Sequence, residues 1–165
     1  MKSLLLLRHA KSSWKDVDVT DHERPLNKRG KADAPRIGKL LKRQELLPDR
    51  IISSSAKRAR KTAARVAKAS GYHGVIELSG NLYMADPAGY VEFLQLLSDD
   101  ASRVMVVGHN PGLEDLLAAL TGQDEPLPTA ALAHLALPID NWSELQLNTH
   151  AELIDLWRPK ELAAK

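Results

Sequence analysis

Four consecutive leucines near the start of the chain, Leu4 to Leu7, end abruptly at Arg8 and His9. An apolar run of this length, bounded by charge, predicts a short strand that is buried on both faces of a sheet. Arg8 and His9 then lie at the carboxyl tip of that strand, where open α/β sheets place their ligands. A histidine there can be a nucleophile, a base or a metal ligand, and the adjacent arginine indicates an anion. The alternative is a core strand followed by an ordinary solvated pair.

Apolar runs and helical patterns alternate along the rest of the chain. Further strands are predicted at 50–54, 75–78, 103–107, 132–137 and 152–157, and helices at 29–44, 57–69, 86–98 and 113–120. Asp86-Pro87 and Asn110-Pro111 each place an N-cap residue before a proline at the first helical position. This order predicts an α/β fold, a three-layer sandwich with a mostly parallel central sheet of about six strands and helices on both faces. The length predicts one domain spanning 1–165.

Composition and charge exclude several classes of protein. The chain has no cysteine, which excludes disulfides and thiolate metal sites. The leucine run is too short for a signal-peptide core or a membrane span, so we expect a cytoplasmic protein with no membrane partner. Of the 23 Lys and Arg residues, 19 precede Tyr83, and such a basic half suits an anionic substrate, a nucleic acid or an acidic protein. The basic cluster from Lys57 to Lys68 lacks the interleaved aromatic residues of a base-stacking surface, so we expect a solvated helix and no nucleic-acid partner.

A second strand ends as the first one does, with Val107-Gly108-His109. If both are parallel central strands, His9 and His109 lie at the same edge of the sheet although 100 positions separate them. The strand at 50–54 adds serines and, just beyond it, Arg58 at the start of the next helix. Two histidines and two arginines near helix N-termini favour the binding of a phosphate group.

Other chemistries fit the motifs less well. Two histidines without a close third ligand make a weak metal site, and neither an HxH nor an HExxH spacing occurs. The nucleotide-binding patterns GxxxxGK[ST] and GxGxxG and the GxSxG nucleophile elbow are also absent from the sequence. The remaining interpretation is phosphoryl transfer onto a histidine, with no metal and no other cofactor.

Four motifs, in their order along the chain, resemble those of the histidine phosphatase superfamily, which is also called phosphoglycerate-mutase-like. They are Arg8-His9-Ala10, residues 24–30 (RPLNKRG), residues 53–59 (SSSAKRA) with Thr62-Ala63, and residues 108–112 (GHNPG). The small size, Ala10 and residues 128–131 (PTAA) are most similar to the SixA-type branch, named for a phosphohistidine phosphatase. The resemblance covers nearly the whole chain and implies a phosphoglycerate-mutase-like fold.

The resemblance also implies a role for each of the four central residues. His9 would be the nucleophile that attacks phosphorus and becomes a phosphohistidine, which water then hydrolyses. Arg8, Arg58 and His109 would surround the phosphoryl oxygens and stabilise the charge of the transition state. In that role His109 would be protonated or would at least donate a hydrogen bond, and the fixed cations would take the place of Mg²⁺. Weaker candidates for contacts with phosphate or substrate are Lys11, Ser12, Arg24 and Asn110.

One position departs from the pattern of the superfamily. Its phosphomonoesterases usually carry a Glu or Asp general acid shortly after the third strand, where this chain has Met84. The nearest carboxylate is Asp86, which we interpret chiefly as a helix N-cap and only secondarily as a general acid. The loop residues Asp16, Asp18 and Asp21 are the other possible source. An alkoxide needs a proton as it leaves, whereas a phosphorylated imidazole protonated on its other nitrogen leaves as neutral imidazole, so the gap favours a phosphoramidate.

Three functions are therefore open at the level of sequence. The leading hypothesis is a metal-independent phosphatase of protein phosphohistidine. The second is a phosphatase of small phosphomonoesters or anhydrides, and the third is a phosphoprotein-binding module without turnover, against which the intact Arg8, His9, Arg58 and His109 argue. The partner in each case is a phosphorylated substrate or protein. The remaining histidines, His22, His73, His134 and His150, are interpreted as ordinary surface or core residues.

Overall fold

A computed structural model describes residues 1–162 and contains a six-stranded sheet with helices on both faces. The strands are β1 (Lys2–Arg8), β2 (Arg50–Ser54), β3 (Ile76–Ser79), β4 (Arg103–Gly108), β5 (Leu132–Leu137) and β6 (Glu152–Trp157). The helices are α1 (Lys28–Arg43), α2 (Lys57–Ser70), α3 (Pro87–Gln95), α4 (Gly112–Thr121) and the short α5 (Pro159–Leu162). The strands lie in the order β3-β2-β4-β1-β5-β6.

The predicted α/β sandwich is confirmed, but the sheet is mixed rather than mostly parallel. Strands β3, β2, β4 and β1 are parallel, whereas β5 is antiparallel to both β1 and β6. The cause lies in the segment after α4, which returns to the edge where β1 ends. There the amide of Ala130 donates to the carbonyl oxygens of Arg8 and His9, at 3.1 and 3.0 Å. Because β5 begins at that edge, it runs back in the opposite direction.

Each face of the sheet buries a separate apolar core, because successive side chains of a strand point to opposite faces. Leu4 and Leu6 of β1 pack with residues of α3 and α4, while Leu5 and Leu7 pack with residues of α1 and α2. All four leucines are completely buried. The prediction that β1 is covered on both faces is therefore confirmed, and the two cores fix the position of its carboxyl tip.

Most element boundaries agree with the prediction, with two differences. The third helix ends at Gln95 rather than near residue 98. The prediction that Asn110 caps α4 is wrong, because the N-cap is Pro111, which follows a cis peptide bond. The Asn110 amide instead donates to Glu114 Oε1 and to the carbonyl oxygen of Leu127, both at 2.9 Å. None of the helices in the described part of the chain has the length and apolar character needed to cross a membrane.

Candidate active site

The carboxyl ends of the neighbouring strands β1 and β4 bring His9 and His109 together. Arg8 is the register partner of Gly108, so each histidine follows its strand at the same level of the sheet. The two ring centroids are 5.1 Å apart, and the residues are only 7% and 4% exposed. Parallel pairing of the two strands thus brings together two histidines that are 100 positions apart in the sequence. Their location at one edge of the sheet agrees with the prediction.

His9 has the protonation state that a nucleophile needs. Its Nδ1 lies 2.8 Å from the carbonyl oxygen of Ala10, and because that oxygen can only accept, Nδ1 carries the hydrogen. Burial, followed by the nearby positive groups, lowers the pKa of His9 from 6.5 to about 3. The imidazole is therefore neutral at physiological pH, with its lone pair on Nε2.

Two arginines lie beside the histidines and are partly held by the backbone. Arg8 donates to the carbonyl oxygen of Leu127 at 3.0 Å. Arg58, which is 4% exposed, donates to the carbonyl oxygen and the carboxylate of Asp21 at 2.7 and 3.1 Å. The buried Nε of each guanidinium has no hydrogen-bond partner within residues 1–162. Buried donors without acceptors are costly, and an anion that supplies oxygens would satisfy them.

His109 is held from two sides. Its backbone amide donates to the Tyr90 hydroxyl at 3.3 Å, and its Nε2 lies 2.8 Å from Ser54 Oγ. Its Nδ1 is buried and has no partner among the described residues. Burial, and then the charge of Arg58, lowers the pKa of His109 to about 4. At neutral pH this residue can therefore donate a hydrogen bond only through the single N–H of a neutral imidazole.

Asp21 is a residue of the site whose position could not be read from the sequence. Its carboxylate accepts hydrogen bonds from Arg58, from Arg24 at 3.1 Å and from the Tyr83 hydroxyl. The Tyr83 hydrogen bond, followed by the two arginines, lowers the pKa of Asp21 to about 2. Asp21 is therefore ionised at physiological pH. It is one of three aspartates in the first loop, which joins β1 to α1 (residues 9–27), and no local pattern distinguishes it from the other two.

His22 also belongs to the surroundings of the site, so its interpretation as an ordinary surface or core histidine is wrong. Its Nε2 lies 2.9 Å from Ser55 Oγ, and its ring packs edge-on against Tyr83 with centroids 4.9 Å apart. Tyr83 in turn packs against His109 at 5.6 Å. A short helical turn, Asp21–Glu23, brings His22 here. The sequence shows no periodicity that would have predicted this contact.

The weaker candidates for phosphate binding fall into different positions. Lys11 is exposed at the start of the first loop. Arg24 stacks on Trp14, with its guanidinium carbon 3.4 Å from the ring centroid, and donates to Ser12 Oγ at 2.6 Å. Arg24 and Ser12 thus make their observed contacts within the loop itself. Asn110 lies directly after His109, and its Oδ1 is buried without a partner in the described structure.

A cavity of about 240 Å³ lies beside His109, and its lining includes Met84, Asp86 and Asp115. Asp86 Oδ1 accepts the amide of Gly89 at 2.8 Å, which confirms that Asp86 caps α3. Met84 is exposed and has a left-handed backbone with φ of 61°. Within residues 1–162, no three His, Cys, Asp or Glu side chains are grouped so that they could hold a metal ion.

Comparison with known proteins places the chain in a family. Residues 4–80 match the model of the histidine phosphatase superfamily (branch 1). An uncharacterized chloroplastic protein of Arabidopsis thaliana is 34% identical over 158 residues, which cover 87% of this chain and 70% of the relative. An uncharacterized protein of Mycobacterium tuberculosis is 31% identical over 85% of this chain and 92% of its own length. The chain belongs to the histidine phosphatase superfamily.

Solved structures narrow the resemblance within the superfamily. The putative phosphohistidine phosphatase SixA from Agrobacterium tumefaciens is 30% identical, with a TM-score of 0.80 over 96% of this chain and 98% of that one. A protein histidine phosphatase SixA complexed with tungstate has a TM-score of 0.82 over 97% and 99% of the two chains, and at 23% identity it supports the fold alone. The chain is similar to SixA proteins, and the family and these relatives support a phosphatase hydrolase.

Proposed function

We propose that this chain is a metal-independent phosphohistidine phosphatase that forms a covalent phosphohistidine on His9. One observation carries the proposal: a neutral imidazole lies beside buried cationic donors, while the carboxylate bound to one of those donors, Asp21, is ionised. Such a pocket stabilises a phosphoryl group and has no proton on that carboxylate to give to a leaving group. It suits a leaving group that departs without general-acid assistance.

The first step transfers the phosphoryl group between two imidazoles. Nε2 of His9 uses its lone pair to form a bond to phosphorus, and the bond from phosphorus to the substrate imidazole breaks. His9 keeps its Nδ1 hydrogen, which the carbonyl oxygen of Ala10 accepts. A substrate imidazole protonated on its other nitrogen takes the electron pair and leaves neutral. The two imidazoles thus have the same protonation pattern, which makes this transfer easier than the expulsion of an alkoxide.

The second step releases phosphate and restores the enzyme. Water forms a bond to phosphorus, the bond to Nε2 of His9 breaks, and both water protons stay with the product, which leaves as dihydrogen phosphate. In both steps, charge develops on the phosphoryl oxygens. The Nε groups of Arg8 and Arg58 are buried donors without partners among the described residues, and they would stabilise this charge together with the single N–H of His109. Loss of one such donor is expected to lower kcat by about 10²–10³.

A substrate panel tests this proposal. Initial rates are measured for a phosphohistidine peptide and for phosphoserine and phosphotyrosine peptides of the same sequence, each with and without a chelator. We expect the phosphohistidine peptide to be hydrolysed fastest and the chelator to have no effect. Phosphomonoesters hydrolysed equally fast would overturn the substrate assignment, and loss of activity with chelator would overturn the metal-independent mechanism.

A second candidate function is the hydrolysis of small phosphomonoesters, because Asp86 lines the cavity that His109 also lines. In that case Asp86 would protonate the leaving alkoxide. Asp86→Asn tests this role, since asparagine still caps a helix and the fold is retained. A loss of about 10²–10⁴ in phosphomonoester turnover, with phosphohistidine turnover unchanged, would favour the second function. Equal rates for Asp86→Asn and the unaltered protein would exclude it.

A further inference from the structure

Ser54 lies at the carboxyl end of β2, and its buried hydroxyl contacts two groups. Oγ accepts a hydrogen bond from the backbone amide of Ala56 at 3.2 Å and lies 2.8 Å from Nε2 of His109. Because an amide can only donate, the hydroxyl hydrogen of Ser54 needs an acceptor elsewhere. In the described chain, Nε2 of His109 is the only atom that can accept this hydrogen from Ser54.

We propose that Ser54 is a positioning residue that donates to Nε2 of His109 and thereby holds the imidazole hydrogen on Nδ1. A neutral imidazole carries one N–H, so an Nε2 that accepts leaves the hydrogen on the other nitrogen. That other nitrogen is the buried atom without a partner among residues 1–162, in a ring 5.1 Å from that of His9. The inference rests on the proposed function, in which the N–H of His109 donates to an oxygen of the transferred phosphoryl group.

The opposite tautomer would be unfavourable on both sides of the ring. With the hydrogen on Nε2, His109 would donate to Ser54, and the buried Ser54 hydroxyl hydrogen would have no acceptor, which costs about 1–3 kcal/mol. Nδ1 would then present a lone pair to a phosphoryl oxygen, which also carries lone pairs. Burial, and then the positive charges of Arg58 and Arg8, disfavour a doubly protonated ring. The tautomer of the neutral ring therefore decides whether His109 can act as a donor.

NMR of the free protein tests the tautomer without any substrate. Nitrogen–proton correlation spectra of the imidazole ring distinguish a protonated Nδ1 from a protonated Nε2. We expect His109 of the unaltered protein to carry the hydrogen on Nδ1, and Ser54→Ala to produce a substantial fraction of the other tautomer. The matched control is Ser53→Ala, because Ser53 Oγ is equally buried but donates to the carbonyl oxygen of Ser54. A hydrogen on Nε2 in the unaltered protein overturns the inference, whatever the substrate preference.

Two isosteric substitutions test the same point by turnover. His109→Asn places an amide nitrogen at the position of Nδ1, whereas His109→Gln places it at the position of Nε2. We expect the kcat of the asparagine variant to be at least about tenfold higher than that of the glutamine variant. This ratio is smaller than the loss of about 10²–10³ expected when a donor is missing altogether. A glutamine variant that is equally active or more active overturns the inference.

Ser54→Ala completes the kinetic test. We expect it to lower kcat by about tenfold with KM nearly unchanged, and to cause no further loss in the His109→Asn background, where the donor no longer depends on a tautomer. A purely structural role would instead give additive losses in the double variant. Equal kcat values for Ser54→Ala and Ser53→Ala would contradict the role of Ser54. If the substrate panel shows that phosphomonoesters are hydrolysed fastest, the proposed substrate changes. The comparison of the Ser54 and His109 variants still tests the tautomer of His109.

Discussion

His9 and His109 illustrate how burial sets the chemistry of individual residues here. Burial is the largest cause of both low pKa values, about 3 for His9 and about 4 for His109, against an ordinary value of 6.5. A solvated histidine would be partly protonated at pH 6.5 and would lose its nucleophilic lone pair. Burial keeps His9 neutral at physiological pH, at a cost in stability that depends on pH.

That cost gives a prediction about stability in acid. Between pH 6.5 and about 4, the unfolded chain binds protons on these two imidazoles and the folded chain does not, so the free energy of unfolding falls as the pH falls. Each histidine contributes up to about 1.4 kcal/mol per pH unit in that range. Urea unfolding at pH 7 and pH 5 measures the loss. His9→Gln is expected to reduce the loss, whereas His73→Gln, at an exposed site, leaves it unchanged. An equal loss in both variants would contradict this explanation.

Asp21 provides a second prediction at the level of residues, since its carboxylate holds the guanidinium of Arg58. Asp21→Asn replaces a charge-assisted hydrogen bond by a weaker neutral one at a half-exposed side chain, and Arg58 becomes less well positioned. We expect kcat to fall by about tenfold or more. Asp18→Asn is the control, because Asp18 is exposed in the same loop. Steady-state kinetics of the two variants make the comparison, and equal kcat values would show that Asp21 does not position Arg58.

Among the secondary-structure elements, the sequence predicted those that a periodic pattern defines. The run Leu4 to Leu7 predicted β1, and β2, β5 and β6 have the boundaries expected from their apolar residues. The direction of β5 was not predictable, because it depends on the path of the segment 122–131, which has no periodic pattern. Its position is set by the bonds from Ala130 to the tip of β1.

The residues of the candidate site can also be divided into those whose position a periodic pattern predicts and those whose position it does not. His9, Arg8, Arg58 and His109 lie at strand tips or a helix start, so their proximity follows from the topology that the sequence predicted. Their roles come from the resemblance to the family and stay predictions. Asp21, His22 and Tyr83 lie on connections between elements, where tertiary contacts alone determine position. Asn110 was assigned to a helix cap because its spacing fits one, but Glu114 and Leu127 compete for its side chain.

The contact between α1 and the first loop leads to a prediction at the level of elements. A Cβ at Gly30 would lie 2.1 Å from the carbonyl oxygen of Lys11, so the backbone next to the site would have to shift. We expect Gly30→Ala to destabilise the protein by about 1–3 kcal/mol and to lower kcat. Gly80→Ala is the control, since a Cβ there would meet only Ser55 Oγ at 3.8 Å. Thermal unfolding of the two variants gives the comparison, and equal melting temperatures would contradict the predicted strain.

The whole molecule is arranged so that two separate cores hold the strand tips from both sides of the sheet. Four parallel strands direct their carboxyl ends to one edge, where the segment before β5 closes over Arg8 and His9. The reactive residues therefore come from distant parts of the chain and are held before any substrate binds. A preorganised pocket of this kind stabilises developing charge without reorganisation during the reaction. We propose that this pocket forms a covalent bond to phosphorus through His9.

Trapping the intermediate tests that claim most directly. The protein is mixed with a phosphohistidine peptide, quenched within the first turnover at alkaline pH, at which phosphohistidine survives, and the phosphorylated residue is located by mass spectrometry. We predict a phosphoryl group on His9 that forms and decays at rates consistent with kcat, and its complete absence in His9→Ala together with loss of turnover. Phosphate release by His9→Ala at the rate of the unaltered protein, or a phosphoryl group on another residue, would contradict the account.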